Sequence, residues 1–126
     1  MAPELSTHPG RTIARLARLV ELAVATVDIT LSQYRVLGIL GDGHEAASAL
    51  AEKLAVSRPS LTGVVDGLVA RGLVLRNPDG SDRRRVEVDL TEAGRAVLLA
   101  ADAAVDQRME RISQLLDQVG REELAR

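Results

Sequence analysis

Three arginines stand side by side at Arg83, Arg84 and Arg85, inside the segment DGSDRRRVEVDLT of residues 79 to 91. Guanidinium groups are permanently charged forks of donors, so such a run suits phosphate oxygens or an electronegative groove. Upstream, SRPSLTG sets Ser57, Arg58, Pro59, Ser60, Thr62 and Gly63 in one short stretch. Its small side chains and short hydroxyls let a backbone come close to a large surface. Catalytic chemistry finds little support. His8 and His44 are far apart and neither has a metal-ligand spacing. AVSRP around Ser57 is not a nucleophile elbow, and GILGDGH lacks the lysine and hydroxyl of a phosphate-binding loop. With no cysteine there are no disulfides, thiolate metal sites or thiol redox sensors. The expectation is a protein that is no enzyme and needs no cofactor or metal.

The chain of 126 residues has a formal net charge of -2, but the charge is unevenly spread. From Lys53 to Arg85 seven basic residues face three acidic ones, a local +4. Residues 1 to 52 hold four against six, and residues 86 to 126 five against nine. A basic middle in an acidic frame suits a polyanion-binding face. The length fits one domain with a single core. Phe and Trp are absent and Tyr34 is the only aromatic residue, so that core must be aliphatic, built on closely packed helices. No apolar run is long enough to span a membrane, and the N-terminus lacks the order of a secretory signal. The expected location is the cytoplasm.

These residues need elements to position them. Residues 11–28 read as a first helix, with Ile13, Leu16, Ala17, Val20, Val24 and Val27 on one stripe and Leu19, Leu22 and Ala23 on a second. Two apolar faces divide between the helix's own core and a partner chain. Thr30 and Gln33 form a capping box opening a second helix, whose buried side carries Leu37 and Leu40. GDGH is a loop, and AASALAEKLA a third helix with a poor cap at Ala46 and therefore a frayed start. Ser57 caps the next helix and Pro59 sits in its first turn. Leu61, Val64, Val65, Leu68 and Val69 face inward, and Gly72 ends it. Arg58, Ser60, Thr62, Gly63, Asp66 and Gly67 are left outside. Two exposed helical glycines each cost roughly 1 kcal/mol against Ala, a cost that makes sense where something large approaches.

Residues 73–90 read as a hairpin, with Leu73 and Leu75 on one strand face, NPDGS at the tip, and Val86, Val88 and Leu90 on the returning strand. Thr91 caps a long last helix from Glu92 to about Val119. Leu98, Val105, Ile112 and Val119 recur every seven residues, with Ala101 and Leu115 complementary and Arg108 the exception. That pattern reads as a dimer seam. After Gly120, REELAR starts a further helix. The whole is mainly α with a small β-hairpin wing: a winged helix-turn-helix at 30–90, with recognition helix 58–71 and wing 73–90. It lies between dimerisation helices at 11–28 and 92–126. The recognition helix would approach base edges in a major groove, and the wing arginines Arg83, Arg84 and Arg85 phosphates or a minor groove. The competing reading is a winged helix for protein contact, to which Gly67 points.

From Leu31 to Leu98 the chain resembles the MarR family of bacterial transcriptional regulators. The matching stretches are LSQYRVLGIL, ALAEKLAVSRPSLTGVVDGLVARGLV, the arginine at 76, DRR at 82 to 84, and VEVDLTEAGRAVL. The resemblance implies a cytoplasmic homodimeric repressor of pseudo-palindromic double-stranded promoter DNA, released by a small phenolic or anionic ligand. Ser57 to Gly63 match the base-reading start of the recognition helix. Arg84 matches the wing-tip arginine of the minor groove, Asp82 the acid that orients it, and Arg76 a position that anchors the wing or a phosphate. Arg83 is expected on a phosphate. Tyr34 and Arg15 are the candidate ligand-binding residues. The sequence departs from the family at Gly67, where a basic residue is common, at Ala46, and in a final helix cut short after Arg126. The last departure fits a truncation or a fragment of a longer protein, and predicts a dimer that dissociates at low concentration.

Overall fold

The computed structural model describes residues 8–78 and 85–124, without the side chains of 115–124. In chain order the elements are α1 (Pro9–Ala25), α2 (Leu31–Leu40), β1 (Glu45–Ala46), α3 (Ala47–Leu54), α4 (Arg58–Ala70), β2 (Val74–Pro78), β3 (Val86–Leu90) and α5 (Glu92–Leu124). This is the mainly helical winged helix-turn-helix that the sequence predicts, with one strand more than expected.

Local chemistry accounts for most boundaries. Pro9 opens α1, where its missing N–H is harmless. The helix stops at Ala25, three residues before the predicted end. There the Thr26 hydroxyl donates to the Ala23 carbonyl at 2.6 Å, and Asp28 turns to φ 62°. The Thr30 capping box forms as predicted: Gln33 N–H donates to Thr30 Oγ1 at 3.1 Å, and Thr30 N–H to Gln33 Oε1 at 3.0 Å. Ser57 caps α4 by accepting from Ser60 N–H at 3.2 Å. The turn between α3 and α4 passes through Ala55 at φ 55°. The left-handed region costs an L-residue about 1–2 kcal/mol, and the tight turn demands it here without a glycine.

Several expectations shift. β1 is a two-residue strand too short to show any period. It pairs antiparallel with β3, Glu45 opposite Val88 and Ala46 opposite Glu87, so the sheet runs β1-β3-β2. Ala46 lacks a side-chain cap as predicted, yet it is buried and held by that pairing, so the start of α3 is pinned rather than frayed. In β2 the alternation is one residue out of phase with the prediction. Val74 points into the core while Leu75 is 54% exposed. Leu73 precedes the strand and is buried because its N–H returns to the Leu68 carbonyl at 3.0 Å. A one-residue slip of this kind exchanges the two faces.

α5 is continuous across Gly120, which the sequence reads as a break. Glycine costs a helix about 1 kcal/mol but keeps its N–H, so it weakens the helix without ending it. The predicted dimer seam is also revised. Leu98 and Ala101 are buried in the chain's own core, with Val105 packed against it. Ile112 is half-buried, and Leu115 and Val119 fall outside the described side chains. The large apolar side chains left outward among the described side chains of the first and last helices are Ile13, 65% exposed, Leu22, 39%, and Leu99, 62%.

One aliphatic core joins every layer, with Val24, Val36, Leu37, Leu40, Leu50, Leu68, Val74 and Val88 fully enclosed. No polar side chain is buried among the described residues. None of their helices is long and apolar enough to cross a membrane.

The wing meets α5 through backbone. Thr91 donates its N–H to the Leu73 carbonyl at 3.1 Å and its hydroxyl to the Gly72 carbonyl at 2.7 Å. The same hydroxyl accepts from Gly94 N–H at 3.0 Å, capping α5. A Cβ on Gly94 would run into the Leu73 carbonyl oxygen and lie 2.8 Å from Leu90 Cδ1. Backbone cannot yield as a flexible side-chain tip can. Gly94→Ala should therefore cost roughly 2 kcal/mol or more by chemical denaturation, at the upper part of the usual overpacking range. An unchanged midpoint would show that α5 does not need this approach.

Candidate nucleic-acid interface

Ser57, Arg58, Pro59, Ser60, Thr62 and Gly63 are all exposed on the N-terminal half of α4. Ser57 Oγ donates to Ser60 Oγ at 3.0 Å as well as accepting the Ser60 N–H. Thr62 Oγ1 donates to the Arg58 carbonyl at 2.9 Å, which holds the hydroxyl close to the helix and keeps the surface low. Space around Gly63 is open: a Cβ there would meet nothing within 4 Å. Gly67 differs from its prediction. It is half-buried, and a Cβ would stand 3.5 Å from Gln33 Nε2 of α2. The helix therefore presents a narrow strip of small and polar groups at its positive terminus, where Pro59 has no N–H and Ser57 takes those of Ser60 and Leu61, leaving that of Arg58.

Arg76 lies on β2 and reaches across to α4. Its Nη2 pairs with Asp66 Oδ1 and lies 3.4 Å from the Thr62 carbonyl. The guanidinium thus clasps the wing to the recognition helix from beneath its outer strip. Two other arginines act similarly. Arg35 Nη2 donates to the Leu54 carbonyl at 2.8 Å, tying α2 to the last turn of α3. Arg71 Nη1 donates to the Asp28 carbonyl at 2.6 Å, fixing the turn after α1. These two links and the Asp66 pairing leave no signature in the sequence. Each joins residues ten or more positions apart on different elements, and no local spacing announces it. Arg85, where the chain enters β3, donates from Nε to Glu87 Oε1 at 3.2 Å. Asp82, Arg83 and Arg84 lie outside the described residues.

Of the two candidate ligand residues, Arg15 is exposed on α1 and Tyr34 is half-buried on α2. Among the described residues no hydrogen bond joins them. Tyr34 instead donates its hydroxyl to Asp102 Oδ1 on α5 at 2.6 Å. Burial, the bond to Asp102 and the negative field of Asp102 and Asp106 all push the phenol's pKa upward. Among the described residues no cluster of histidine and acidic side chains could hold a metal ion.

This geometry has close parallels. The family model described as the MarR family matches residues 27–85. An uncharacterised HTH-type transcriptional regulator of Mycobacterium bovis is 32% identical over 120 residues, covering 94% of this chain and 82% of that protein. The chain belongs to the MarR family. It is also 35% identical to the HTH-type transcriptional regulator FarR of Neisseria gonorrhoeae over 98 residues, 77% of this chain and 65% of that one. Against the first three curated relatives the matched stretch spans 65%, 45% and 58% of their length. Among solved structures, the transcriptional repressor CouR bound to a 23-mer DNA duplex is similar with a TM-score of 0.82 and 28% identity, over 99% of this chain and 94% of that one. NadR in complex with 4-hydroxyphenylacetate has a TM-score of 0.75 and 27% identity, over 98% and 86%. The MarR-family members matched here are transcriptional regulators rather than enzymes.

Tyr34 gives this MarR-family chain an internal pH probe, since no other aromatic side chain is present. Its folded pKa lies above the ordinary tyrosine value of about 10, so its contribution to stability is complete below that pH. The contribution is lost as pH rises further, because the unfolded phenol ionises while the folded one keeps its proton. Denaturation series across the alkaline range should show stability falling by up to about 1.4 kcal/mol per pH unit above pH 10 from this group. Tyr34→Phe should remove that component and cost about 1 kcal/mol at neutral pH through the lost hydrogen bond. Identical alkaline slopes in the two proteins would contradict the assignment.

Proposed function

We propose that this MarR-family regulator is a homodimeric repressor that grips double-stranded DNA with α4 and the wing and lets go when a small phenolic or anionic ligand binds. The observation that carries the reading is the exposed strip Ser57–Gly63, low in relief, with Arg76 clasping the wing behind it. Ser57, Ser60, Thr62 and Gly63 approach base edges, where short side chains admit the helix into a major groove. Arg58 and the helix terminus meet phosphates, which fix position without reading sequence. Arg83 and Arg85 serve the backbone, while Arg84, oriented by Asp82, enters the minor groove. Arg76 is assigned a positioning role, because Asp66 already engages it. The duplex-bound CouR structure supports the DNA partner.

The apolar side chains left outside on α1 and α5, Ile13, Leu22 and Leu99, support a second copy as the dimer partner. The resemblance to NadR with its hydroxyphenyl acid supports a ligand-responsive regulator, with Tyr34 and Arg15 as the residues to test. The rival protein-contact reading rests on the missing basic residue at Gly67, a half-buried position beside Gln33.

Selection from a random duplex pool should return a palindrome with half-sites about 10 base pairs apart. Binding to it should weaken by orders of magnitude between about 50 and 200 mM salt. Salt-insensitive binding, or one chain per site at saturation, would count against this function. Gly63→Ala separates fold from approach. An exposed helical glycine with open space should gain up to about 1 kcal/mol of stability on substitution. The same methyl on a groove-facing strip should weaken specific binding about tenfold, or roughly 1.4 kcal/mol. Greater stability with unchanged affinity would remove Gly63 from the interface.

A further inference from the structure

Arg71 is the residue at which α4 ends, its N–H still returning to the Gly67 carbonyl at 3.3 Å. It follows Gly63 by eight residues, so roughly 12 Å of helix separates it from the exposed strip Ser57–Gly63. Its Nη1 donates to the Asp28 carbonyl at 2.6 Å, and its Nη2 lies 3.9 Å from the same residue's carboxylate, which is fully exposed. An ion pair so open to water is weak, and the carbonyl is the partner that holds the guanidinium.

The turn after α1 leaves that carbonyl to an outside donor. The last carbonyls of the helix are used within the turn itself: Ala23 accepts from Thr26, Val24 from Val27 and Ile29, and Ala25 from Asp28. Asp28 then takes the left-handed conformation at φ 62°, and its own carbonyl accepts from Arg71, 43 residues away in the chain. A helix C-terminus favours a nearby cation, yet α1 has no basic residue in its last turn. Arg71 supplies that cation from another element.

The lobe made of α2, α3, α4 and the wing is thus held to the long helices at separate points. The Thr91 and Gly94 weld and the Tyr34–Asp102 bond both hold α5, whereas Arg71 holds the turn that leaves α1. Arg76 differs, because it joins α4 to the wing inside the lobe and leaves the lobe's angle to α1 unaffected. A further attachment on a second helix removes rotation that attachments to the first still permit. In a dimer built on α1 and α5, that rotation would carry the two recognition helices toward or away from each other, and their separation sets the half-site spacing. On the dimeric DNA-binding reading, on which this rests, we propose that Arg71 is a positioning residue that fixes the half-site spacing the dimer accepts, by tethering the end of α4 to the turn after α1.

Fluorescence anisotropy with the full chain tests this, on duplexes carrying the selected palindrome at its own spacing and with one base pair added or removed between the half-sites. Each base pair moves a half-site by about 3.4 Å along the axis and about 35° around it. Wild type should lose at least about tenfold in affinity on either altered duplex. Arg71→Met keeps the apolar stem without the fork; it should bind the selected spacing more weakly and show a spacing ratio at least about threefold smaller. A merely structural role would lower affinity on every duplex by one common factor and leave that ratio alone. Arg71 is exposed, so its replacement spares the aliphatic core. Arg71→Lys keeps the charge but not the fork, should give a ratio between those of wild type and Arg71→Met, and decides the matter should Arg71→Met not fold. Wild-type indifference to spacing, or a wild-type ratio in both variants, overturns this proposal alone. A wild-type chain that binds no palindrome overturns the DNA-binding reading and this proposal with it.

Discussion

The backbone weld between the wing base and α5 governs the arrangement of this protein. Thr91 bonds the carbonyls of Gly72 and Leu73 and at the same time caps α5, and Gly94 lets that helix settle directly on the Leu73 peptide. Gly72 and Leu73 also terminate α4, through the return of Leu73 N–H to Leu68. One cluster of peptide groups therefore sets three directions: the recognition helix, the first strand of the wing and the long last helix. Side chains packing around it are aliphatic and interchangeable in kind, whereas these bonds are not. Hydrogen bonds between backbone groups in a fixed turn specify direction, and hydrophobic burial supplies the driving force without specifying it.

Arginine serves two purposes in this lobe. The exposed strip of α4 carries Arg58, and the segment after it carries the run 83 to 85, all in the part of the chain where positive charge concentrates. Arg35, Arg71 and Arg76 are turned to other use, each joining two elements through a carbonyl or a carboxylate. As partly exposed links they add little to stability. What they fix is relative placement, so that strip and wing keep one geometry. Of the seven basic residues from Lys53 to Arg85, Arg71 and Arg76 serve as struts, with their charge kept and their donors engaged.

Features set by neighbours in sequence were legible there. The Thr30–Gln33 box, the Ser57 cap with Pro59 behind it, and Gly72 at φ 72° all follow from a few adjacent residues. Contacts between distant segments were not. β1 has no pattern of its own and exists because Val88 and Glu87 offer it partners. Leu73 and Leu75 alternate like a strand, yet the first belongs to the helix-ending turn, which shifts the strand's phase. The heptad of α5 reads as a dimer seam, yet its Leu98 and Ala101 serve the internal core, while the exposed Leu99 stands outside that pattern. Within the interface, the outward set Ser57 to Gly63 was readable from helical periodicity. The orientation of Gly67 and the pairing of Arg76 depend on α2 and α4 lying close by. Gly94, quoted only as part of a motif, needed the Leu73 carbonyl to explain it.

The uninterrupted course of α5 has a mechanical consequence. At about 1.5 Å per residue, its 33 residues form a rod roughly 50 Å long. Its fulcrum is the weld at Thr91 and Gly94, and Tyr34 grips it at Asp102, within the first third of its length. A rigid rod held near one end magnifies motion at the other. By that geometry, a tilt of about 5° at the weld sweeps the far end through roughly 4 Å, more than twice the rise of about 1.5 Å per residue. Small adjustments at the wing base and large displacements at the distal end are thus one motion seen at two radii.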